Sequence, residues 1–279
     1  MAADTPTSST ASSDTPAIGR RRPTPGWRRV LSAYLARYRH LWKASVTTSV
    51  LTPLAFLGAM GLGLGTLVDD GTGDLGAATS YLAFVAPGIL AASTAQIAAS
   101  ESTFPVMGDF RWDKTNHAAL ATPLTVNEMV HGWVAWLAVR LTPTALPFVV
   151  VMAVASLLES PIGVLALPVA VLGGLALGTP IAAYTATQET EETFTVIFRM
   201  IVLPLFLFSG TMFPADQLPG VVHAIVAVAP IYHAAALARA LALDTVEPAA
   251  AALHLAVLVA WTGAGIALMR RTFTRRLIT

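Results

Sequence analysis

The fold is decided by the stretch IGVLALPVAVLGGLALGTPIAAYTAT, residues 162–187, which contains no charged side chain. A helix needs about 20 apolar residues to cross a hydrocarbon core of roughly 30 Å. Five other runs meet or approach that length with at most one charge each, at 44–68, 81–100, 133–158, 194–213 and 248–269. We therefore predict an all-α polytopic membrane protein with six transmembrane helices, in a transmembrane domain that covers 44–276.

The composition excludes two other classes of protein. Hydrophobic residues make up 55% of the chain and charged residues 12%, and the mean hydropathy is +0.65. A soluble domain carries about 25% charged residues because its surface faces water, and a disordered chain needs low hydrophobicity. An ordinary soluble enzyme and a disordered chain are both excluded. The absence of cysteine also excludes a disulfide scaffold and thiolate chemistry.

The distribution of charge predicts the orientation. Basic residues precede the first run, whereas 69–80 has none and carries Asp69, Asp70 and Asp74. Arg111 and Lys114 lie between the second and third runs. Four arginines follow the sixth run: Arg270, Arg271, Arg275 and Arg276. Because cytoplasmic loops carry an excess of Lys and Arg, we expect both termini to be cytoplasmic. The alanine-rich, arginine-over-lysine composition points to a bacterial source, and we expect the protein in the bacterial inner membrane.

Residues 221–243 are apolar enough to form a seventh span, which would place the last arginines outside. The segment also contains charged and histidine side chains, and Pro230 interrupts it. Two short helices that enter the outer leaflet and return would satisfy both the proline and the charge rule. We therefore expect an extracellular re-entrant hairpin between spans 5 and 6. Its marker residues are Pro214, Pro219, Pro230, His233 and Arg239.

The amino-terminal region has two parts. Residues 1–25 are rich in Ser, Thr, Pro and Ala and lack a signal-peptide core, which predicts a disordered cytoplasmic tail. Residues 26–43 place apolar side chains on one arc of a helix and arginines on the other. We expect an amphipathic connecting helix at the cytoplasmic interface, its apolar face in lipid and its arginines on anionic headgroups. A simple basic flank of the first span is the alternative. The residues concerned are Trp27, Arg28, Arg29, Arg37, Arg39 and Trp42.

Several catalytic motifs are missing from the sequence. There is no glycine-rich phosphate loop, and the only lysines are Lys43 and Lys114, so the chain cannot hydrolyse ATP alone. Neither H-E-x-x-H nor G-x-S-x-G occurs, and the six histidines lack metal-ligand spacing. The pattern favours a pathway-forming subunit with no metal site and no cofactor of its own over an enzyme.

Two segments resemble a known family. They are YLAFVAPGILAASTAQIAASESTFPVMGDFRWDKTNHAALATPLT at 81–125 and LPLFLFSGTMFPADQLPGVVHAIVAVAPIYHAAALARAL at 203–241. Both are similar to permease subunits of type-2 ABC exporters, closest to the nodulation-factor (lipo-oligosaccharide) branch, with daunorubicin-type drug exporter permeases as relatives. The similarity covers most of 27–276 by span pattern, and its most specific parts are SGTMFP, PIYH and Arg239.

The resemblance implies an ATP-driven exporter of an amphipathic lipid-linked, glycolipid or drug-like molecule. Two separate cytoplasmic P-loop ATPase subunits would bind ATP and Mg. A second permease subunit, expected to be identical, would complete the pathway in contact with membrane lipids, and no nucleic acid is involved. A coupling helix for the ATPase maps to about 108–120, where hydrogen-bonding groups suit a polar protein contact; a solvated connection is the alternative. Its candidate residues are Asp109, Arg111, Trp112, Asp113, Lys114, Asn116 and His117.

Side chains within the spans leave alternatives open. Arg140 either snorkels to the headgroups or lies inside the bundle, where it could receive an anionic headgroup or sugar. Arg199 poses the same choice, with Glu189 and its neighbours as ion-pair candidates. Gln96 and the aromatic residues of span 5 fit helix packing as well as cargo contact. The candidate pathway residues are Gln96, Arg140, Phe206, Phe208, Met212 and Phe213.

A secondary transporter or channel without an ATPase is the alternative function. It would need inverted repeats and ionisable residues in mid-membrane, and neither is evident in the sequence.

Overall fold

The computed structural model describes residues 25–39, 80–212 and 218–278, together with the isolated positions 51, 55, 58 and 59. Within these residues the regular structure is entirely helical. Four helical segments in them are long and apolar enough to cross a membrane: Tyr81–Arg111, Val126–Val154, Pro161–Thr185 and Pro248–Ile278. These segments match predicted spans 2, 3, 4 and 6 and confirm a polytopic helical protein. The tail 1–24, the first span 44–68 apart from the isolated positions, and Trp42, Phe213 and Pro214 lie outside the described residues.

The helices follow one another in this order: α1 Gly26–Tyr38, α2 Tyr81–Glu101, α3 Phe104–Arg111, α4 Thr115–Leu120, α5 Val126–Val154, α6 Ala166–Thr185, α7 Glu192–Ile197, α8 Leu203–Phe208, α9 Gly220–Val226, α10 Pro230–Ala242 and α11 Pro248–Ile278. A 3₁₀ turn at Pro161–Leu165 leads into α6, and a π-helical turn at Phe198–Val202 joins α7 to α8.

Helix α5 begins before the expected start of span 3 at 133. Thr125 accepts a hydrogen bond from the Glu128 backbone N–H on its hydroxyl, and the Glu128 carboxylate accepts from the Thr125 N–H at 3.0 Å. This reciprocal capping box satisfies two groups that would otherwise be unpaired at a helix start. The apolar run marks where the hydrocarbon can be crossed, whereas the cap marks where the helix begins.

Span 5, expected at 194–213, is not one regular helix. The π-helical turn precedes Pro204, which has no backbone N–H to continue an ordinary α-helical ladder. Helix α8 ends at Phe208, and Gly210 adopts a φ of 72°, the left-handed conformation common just after a helix. The chain then turns, five residues earlier than the apolar run suggests.

Helices α9 and α10 meet at an angle of 85°. At the bend, the Trp261 indole N–H of α11 donates to the Val228 carbonyl at 3.0 Å. At the other end of α10, the Glu159 N–H donates to the Ala242 carbonyl at 2.9 Å, next to the end of α5. By length and composition, this bent pair fits either a broken span or a re-entrant hairpin.

The bundle has two ends, which α2 connects. The first turn of α2 contains Tyr81 and Phe84, and its last residue is Glu101. The two ends of α2 are about 30 Å apart along the helix axis. Helix α1 and the last turns of α11 lie at the Glu101 end, where Phe273 packs against Phe110 with ring centroids 4.8 Å apart. We call this end the Asp109 end and the opposite one the Arg239 end.

Candidate functional site

The centre of the Asp109 end is a buried carboxylate. Asp109, on α3, is 2% exposed. The Tyr34 hydroxyl donates to its Oδ2 at 2.6 Å, and the Thr115 hydroxyl donates to its Oδ1 at 2.8 Å. Arg37 pairs with Oδ1 at 3.2 Å and with Asp113 at 3.7 Å. These five residues, which we call the Asp109 cluster, join α1 to α3 and α4.

The predicted coupling segment 108–120 contains the end of α3 and the whole of α4, joined by a short turn. Between α3 and α4, Lys114 adopts a left-handed conformation with a φ of 51°. The seven candidate residues divide into two sets. Asp109 and Asn116 are buried, whereas five are exposed: Arg111, Trp112 (58% exposed), Asp113, Lys114 and His117. The exposed set lies at the end of α3, in the turn and on α4.

The apolar face of α1 packs on α5, whereas the sequence analysis expected it in lipid. A Cβ at Gly132 would lie 2.5 Å from the Val30 Cβ, so only glycine allows this approach of the two helices. Tyr34 stacks on Trp136 with centroids 5.6 Å apart, and Tyr38 meets the same ring edge-on at 5.2 Å. Helix α1 is therefore held by aromatic contacts as well as by Asp109. Arg28, Arg29 and Arg39 remain exposed, and Trp27 is half-buried under the Arg28 guanidinium.

The environment of Tyr34 fixes its protonation state. Burial raises the pKa of the Tyr34 phenol well above its ordinary value, and the neighbouring Asp109 charge raises it further, while Arg37 opposes both. The phenol is therefore a hydrogen-bond donor at physiological pH. The apolar periodicity of α1 does not reveal this contact, because Asp109 is 75 residues away in the sequence.

Arg140 is buried in the described bundle at the Asp109 end. Its Nε donates to Glu101 at 2.9 Å, its guanidinium lies 5.2 Å from the Tyr38 ring centroid, and the residue is 8% exposed. Glu101 was missed as a partner because the two residues are 39 positions apart and no local pattern links them. The pair ties α2 to α5 beneath α1.

Glu189 is a second shared carboxylate at this end. It pairs with Arg111 on α3 and, at 3.5 Å, with Arg276 on α11. Arg276 also donates to the carbonyls of Ala186 and Gln188 at 2.6 and 2.7 Å. Arg199, expected to pair with Glu189, is exposed on the π-helical turn, and the ion pairs of Glu189 go to the other two arginines.

The Arg239 end is built around one cation. Arg239 Nε donates to the Phe84 carbonyl at 2.9 Å, and Nη2 donates to the Gly210 carbonyl at 2.5 Å. The guanidinium lies 3.8 Å from the Phe84 ring centroid. Tyr81 donates to the Met212 carbonyl at 3.2 Å. Arg239 thus joins α2, α10 and the turn after α8, and it brings the two segments that carry the family resemblance into contact.

The remaining hairpin residues anchor α10 to its neighbours. His233 contacts the His254 imidazole of α11 through the two Nδ1 atoms at 2.8 Å, and its Nε2 lies 2.8 Å from the Ala227 carbonyl. Pro219 immediately precedes α9, and Pro230 is the first residue of α10, a position where the missing N–H of proline costs nothing.

The described candidate pathway residues do not form one site. Arg140 is at the Asp109 end, whereas the Met212 carbonyl is bonded to Tyr81 at the opposite end of α2. Gln96 is exposed on α2, and Phe206 packs against the core with α10.

The comparisons with known proteins agree with this architecture. The family described as ABC-2 type transporter matches residues 28–243. The chain belongs to the ABC-2 type transporter family. It is 31% identical to nodulation protein J of Rhizobium leguminosarum bv. viciae over 237 residues, which is 83% of this chain and 86% of the relative. It is 29% identical to nodulation protein J of Rhizobium meliloti (strain 1021) over 80% of this chain and 84% of the relative.

A third relative extends the similarity along the chain. Nodulation protein J of Neorhizobium galegae is 27% identical over 253 residues, 89% of this chain and 93% of the relative. The resemblance stated from the sequence is thereby confirmed, and it places the chain in the nodulation protein J branch of ABC-2 permeases. The protein is a membrane-embedded component of a transporter and not itself the catalytic part.

Proposed function

We propose that this chain is the membrane subunit of an ATP-driven exporter whose ATP is hydrolysed by two separate cytoplasmic P-loop subunits, with ATP and Mg bound there. The observation that carries the proposal is the Asp109 cluster. A force applied to the exposed surface around Lys114 reaches α1 through Asp109 and reaches α11 through the Arg111–Glu189–Arg276 contacts. The segment is therefore mechanically connected to several helices, as a coupling element has to be.

The exported molecule is proposed to be amphipathic: a lipid-linked molecule, a glycolipid or a drug-like compound, moved out of the cytoplasm or the inner leaflet. The support is the membership of the nodulation protein J branch, together with the apolar surface of the bundle. A second, identical permease subunit would form the other wall of the pathway, and the first span 44–68 would complete six spans.

The orientation follows from charge. Helix α1 and the arginine-rich end of α11 lie at the same end of the bundle, and we propose that this end is cytoplasmic in the bacterial inner membrane. The bend between α9 and α10 contacts Trp261, about halfway along α11, and the end of α10 returns to the Arg239 end. These contacts support an extracellular re-entrant hairpin over a seventh span.

The experiment is a charge reversal on the exposed coupling surface. Arg111→Glu with Lys114→Glu should abolish co-purification with the P-loop subunit and stop export, because it reverses both basic side chains of the exposed coupling surface and breaks the Arg111–Glu189 pair. The control is Arg271→Glu with Arg275→Glu, which makes the same charge change at the same end on exposed positions of α11. Export should survive in the control. Unchanged export in the first variant, with ATPase still bound, would remove this segment from the mechanism.

A further inference from the structure

His233 is a buried titratable side chain that the proposed coupling mechanism does not use. It is 6% exposed and lies on α10, one turn from the bend with α9. Its ring reaches two other segments of the chain. The Nε2 atom lies 2.8 Å from the Ala227 carbonyl at the end of α9, and the Nδ1 atom lies 2.8 Å from the Nδ1 atom of His254 on α11. We call His233 and His254 the histidine pair.

These two contacts determine which ring nitrogens carry hydrogen. A backbone carbonyl only accepts hydrogen bonds, so the Nε2 atom of His233 carries a hydrogen and donates it to Ala227. In a neutral His233 the Nδ1 atom is then an acceptor, and the bond between the two Nδ1 atoms requires that His254 donates. The neutral pair therefore holds one hydrogen between the two rings, donated by α11 and accepted by α10.

Added protons act on this contact in two steps. The first adds to the Nε2 atom of His254, which leaves the hydrogen between the rings in place and makes the bond charge-assisted. The second has to add to the Nδ1 atom of His233, because the Nε2 atom of that ring already carries a hydrogen. Neither Nδ1 atom can then accept, and two like charges face each other with ring centroids 5.0 Å apart. The contact is compatible with one added proton and incompatible with two.

Within the part of the chain that the structure describes, no carboxylate pairs with either histidine to compensate the second charge. Tyr232 touches both rings, with its centroid 5.3 Å from that of His233 and 6.1 Å from that of His254. Behind it lies His223 of α9, 6.4 Å from Tyr232. The other titratable side chains on α2, α6 and α10 and between α10 and α11, which form no hydrogen bond, ion pair or ring contact with the pair, are Tyr81, Glu101, Tyr184, Arg239, Asp244 and Glu247.

We propose that the histidine pair is a proton-sensitive contact between the hairpin and α11, closed at neutral pH and opened when both imidazoles are protonated. After opening, α11 still holds the bend through the bond from Trp261 to the Val228 carbonyl, so α10 turns about that point. Histidine is the side chain whose charge ordinarily changes between pH 5 and 8. The physiological consequence rests on the proposed extracellular placement of the hairpin: acid outside the cell loosens the outer end of the bundle.

The test measures the separation of α9 and α11 in the full-length protein in nanodiscs. The chain contains no cysteine, so Val221→Cys and Leu255→Cys, both at exposed positions, provide unique sites for spin labels. We expect electron paramagnetic resonance to show one separation at about pH 7.5 and a second, longer one at about pH 4.5, on either side of the histidine range. The population with the short separation should fall about threefold to tenfold, the scale of losing one hydrogen bond.

Two variants of the same residue distinguish the pair from other titrating groups. His254→Asn keeps an N–H donor close to the position of Nδ1 but cannot gain a charge, so the separation should stay short at both pH values. His254→Leu removes the donor, so the longer separation should be present already at neutral pH. The matched control is His223→Asn, which removes the neighbouring histidine outside the pair and should respond to pH as the native protein does.

Three results would overturn the proposal: an unchanged separation in the native protein, a pH response that persists in His254→Asn, or a response that disappears in His223→Asn. The measurement uses the permease alone, so it does not depend on ATPase binding or export. Labelling of Val221→Cys in whole cells by a membrane-impermeant thiol reagent tests the placement separately. Reaction only after the cells are opened would refute the extracellular hairpin and leave the pH response of the pair unaffected.

Discussion

The two ends of the bundle hold their charged side chains differently. At the Asp109 end, arginines pair with carboxylates and some partners are shared: the Glu189 carboxylate pairs with two arginines, and Arg37 pairs with Asp109 and Asp113. At the Arg239 end, the cation is held by two backbone carbonyls and an aromatic ring. Shared carboxylates allow partners to be exchanged at little cost, whereas a cation held by backbone carbonyls fixes the positions of three chain segments. The first end is suited to movement and the second to rigidity.

The largest effect is expected from breaking the buried pair between Arg140 and Glu101. Glu101→Ala leaves the Arg140 charge without its carboxylate, and such a loss typically costs about 3–5 kcal/mol. Thermal unfolding in detergent should show a clear drop in midpoint. Glu189→Ala is the matched control at the same end, because its pairs are exposed and exposed pairs contribute about 1 kcal/mol or less. Equal shifts in the two variants would contradict the burial argument.

Removing Arg239 tests the rigid end. Arg239→Ala leaves the Phe84 and Gly210 carbonyls unpaired, at about 1–3 kcal/mol for each buried acceptor, so we expect a lower unfolding midpoint and loss of export. Arg239→Lys keeps the charge but lacks the planar guanidinium that reaches both carbonyls. Its unfolding midpoint should therefore lie between those of the native protein and Arg239→Ala. If Arg239→Lys matches Arg239→Ala, charge plays no part in holding this end.

A smaller effect is expected from closing the space between α2 and the turn after α8. A Cβ at Gly88 would lie 2.8 Å from the Thr211 backbone, so Gly88→Ala should destabilise the protein by about 1–3 kcal/mol through overpacking. Gly263→Ala is the control, because nothing lies within 4 Å of its Cβ position on α11. That variant should be neutral or slightly stabilising, since alanine favours a helix. Destabilisation by both would point to a cause other than the close approach.

The smallest effect concerns pH at the Asp109 end. Because burial raises the pKa of Tyr34 above its ordinary value of 10.0, the unfolded chain ionises first as the pH rises. The raised pKa contributes to the free energy of unfolding in full below pH 10. This contribution is lost as the pH rises from about 10 toward the pKa of Tyr34 in the folded protein. Unfolding midpoints measured from pH 8 to 11 should therefore fall more steeply for the native protein than for Tyr34→Phe. Parallel curves would show that Tyr34 titrates normally.

The sequence predicted the spans better than it predicted their contacts. Runs with at most one charged residue identified α2, α5, α6 and α11, because crossing a membrane requires a fixed length of apolar residues. The start of α5 was missed although Thr125 and Glu128 have capping-box spacing. The pairs Arg140–Glu101 and Tyr34–Asp109 join residues far apart in sequence, and only the packing of α1, α2 and α5 determines them. Arg239 was identified through the resemblance, but its carbonyl partners follow from the turn at Gly210.

The last helix has a consequence for the dimensions of the protein. Helix α11 contains 31 residues and is therefore about 46 Å long, against about 30 Å of hydrocarbon. Its final turns are fastened to 186 and 188 by Arg276, so the excess of about three turns projects beyond the lipid on that side. The arginines there lie on a helical extension of α11 held in a fixed position. Truncating this extension would leave the membrane-crossing part of α11 intact while removing one support of the α3–α4 pair.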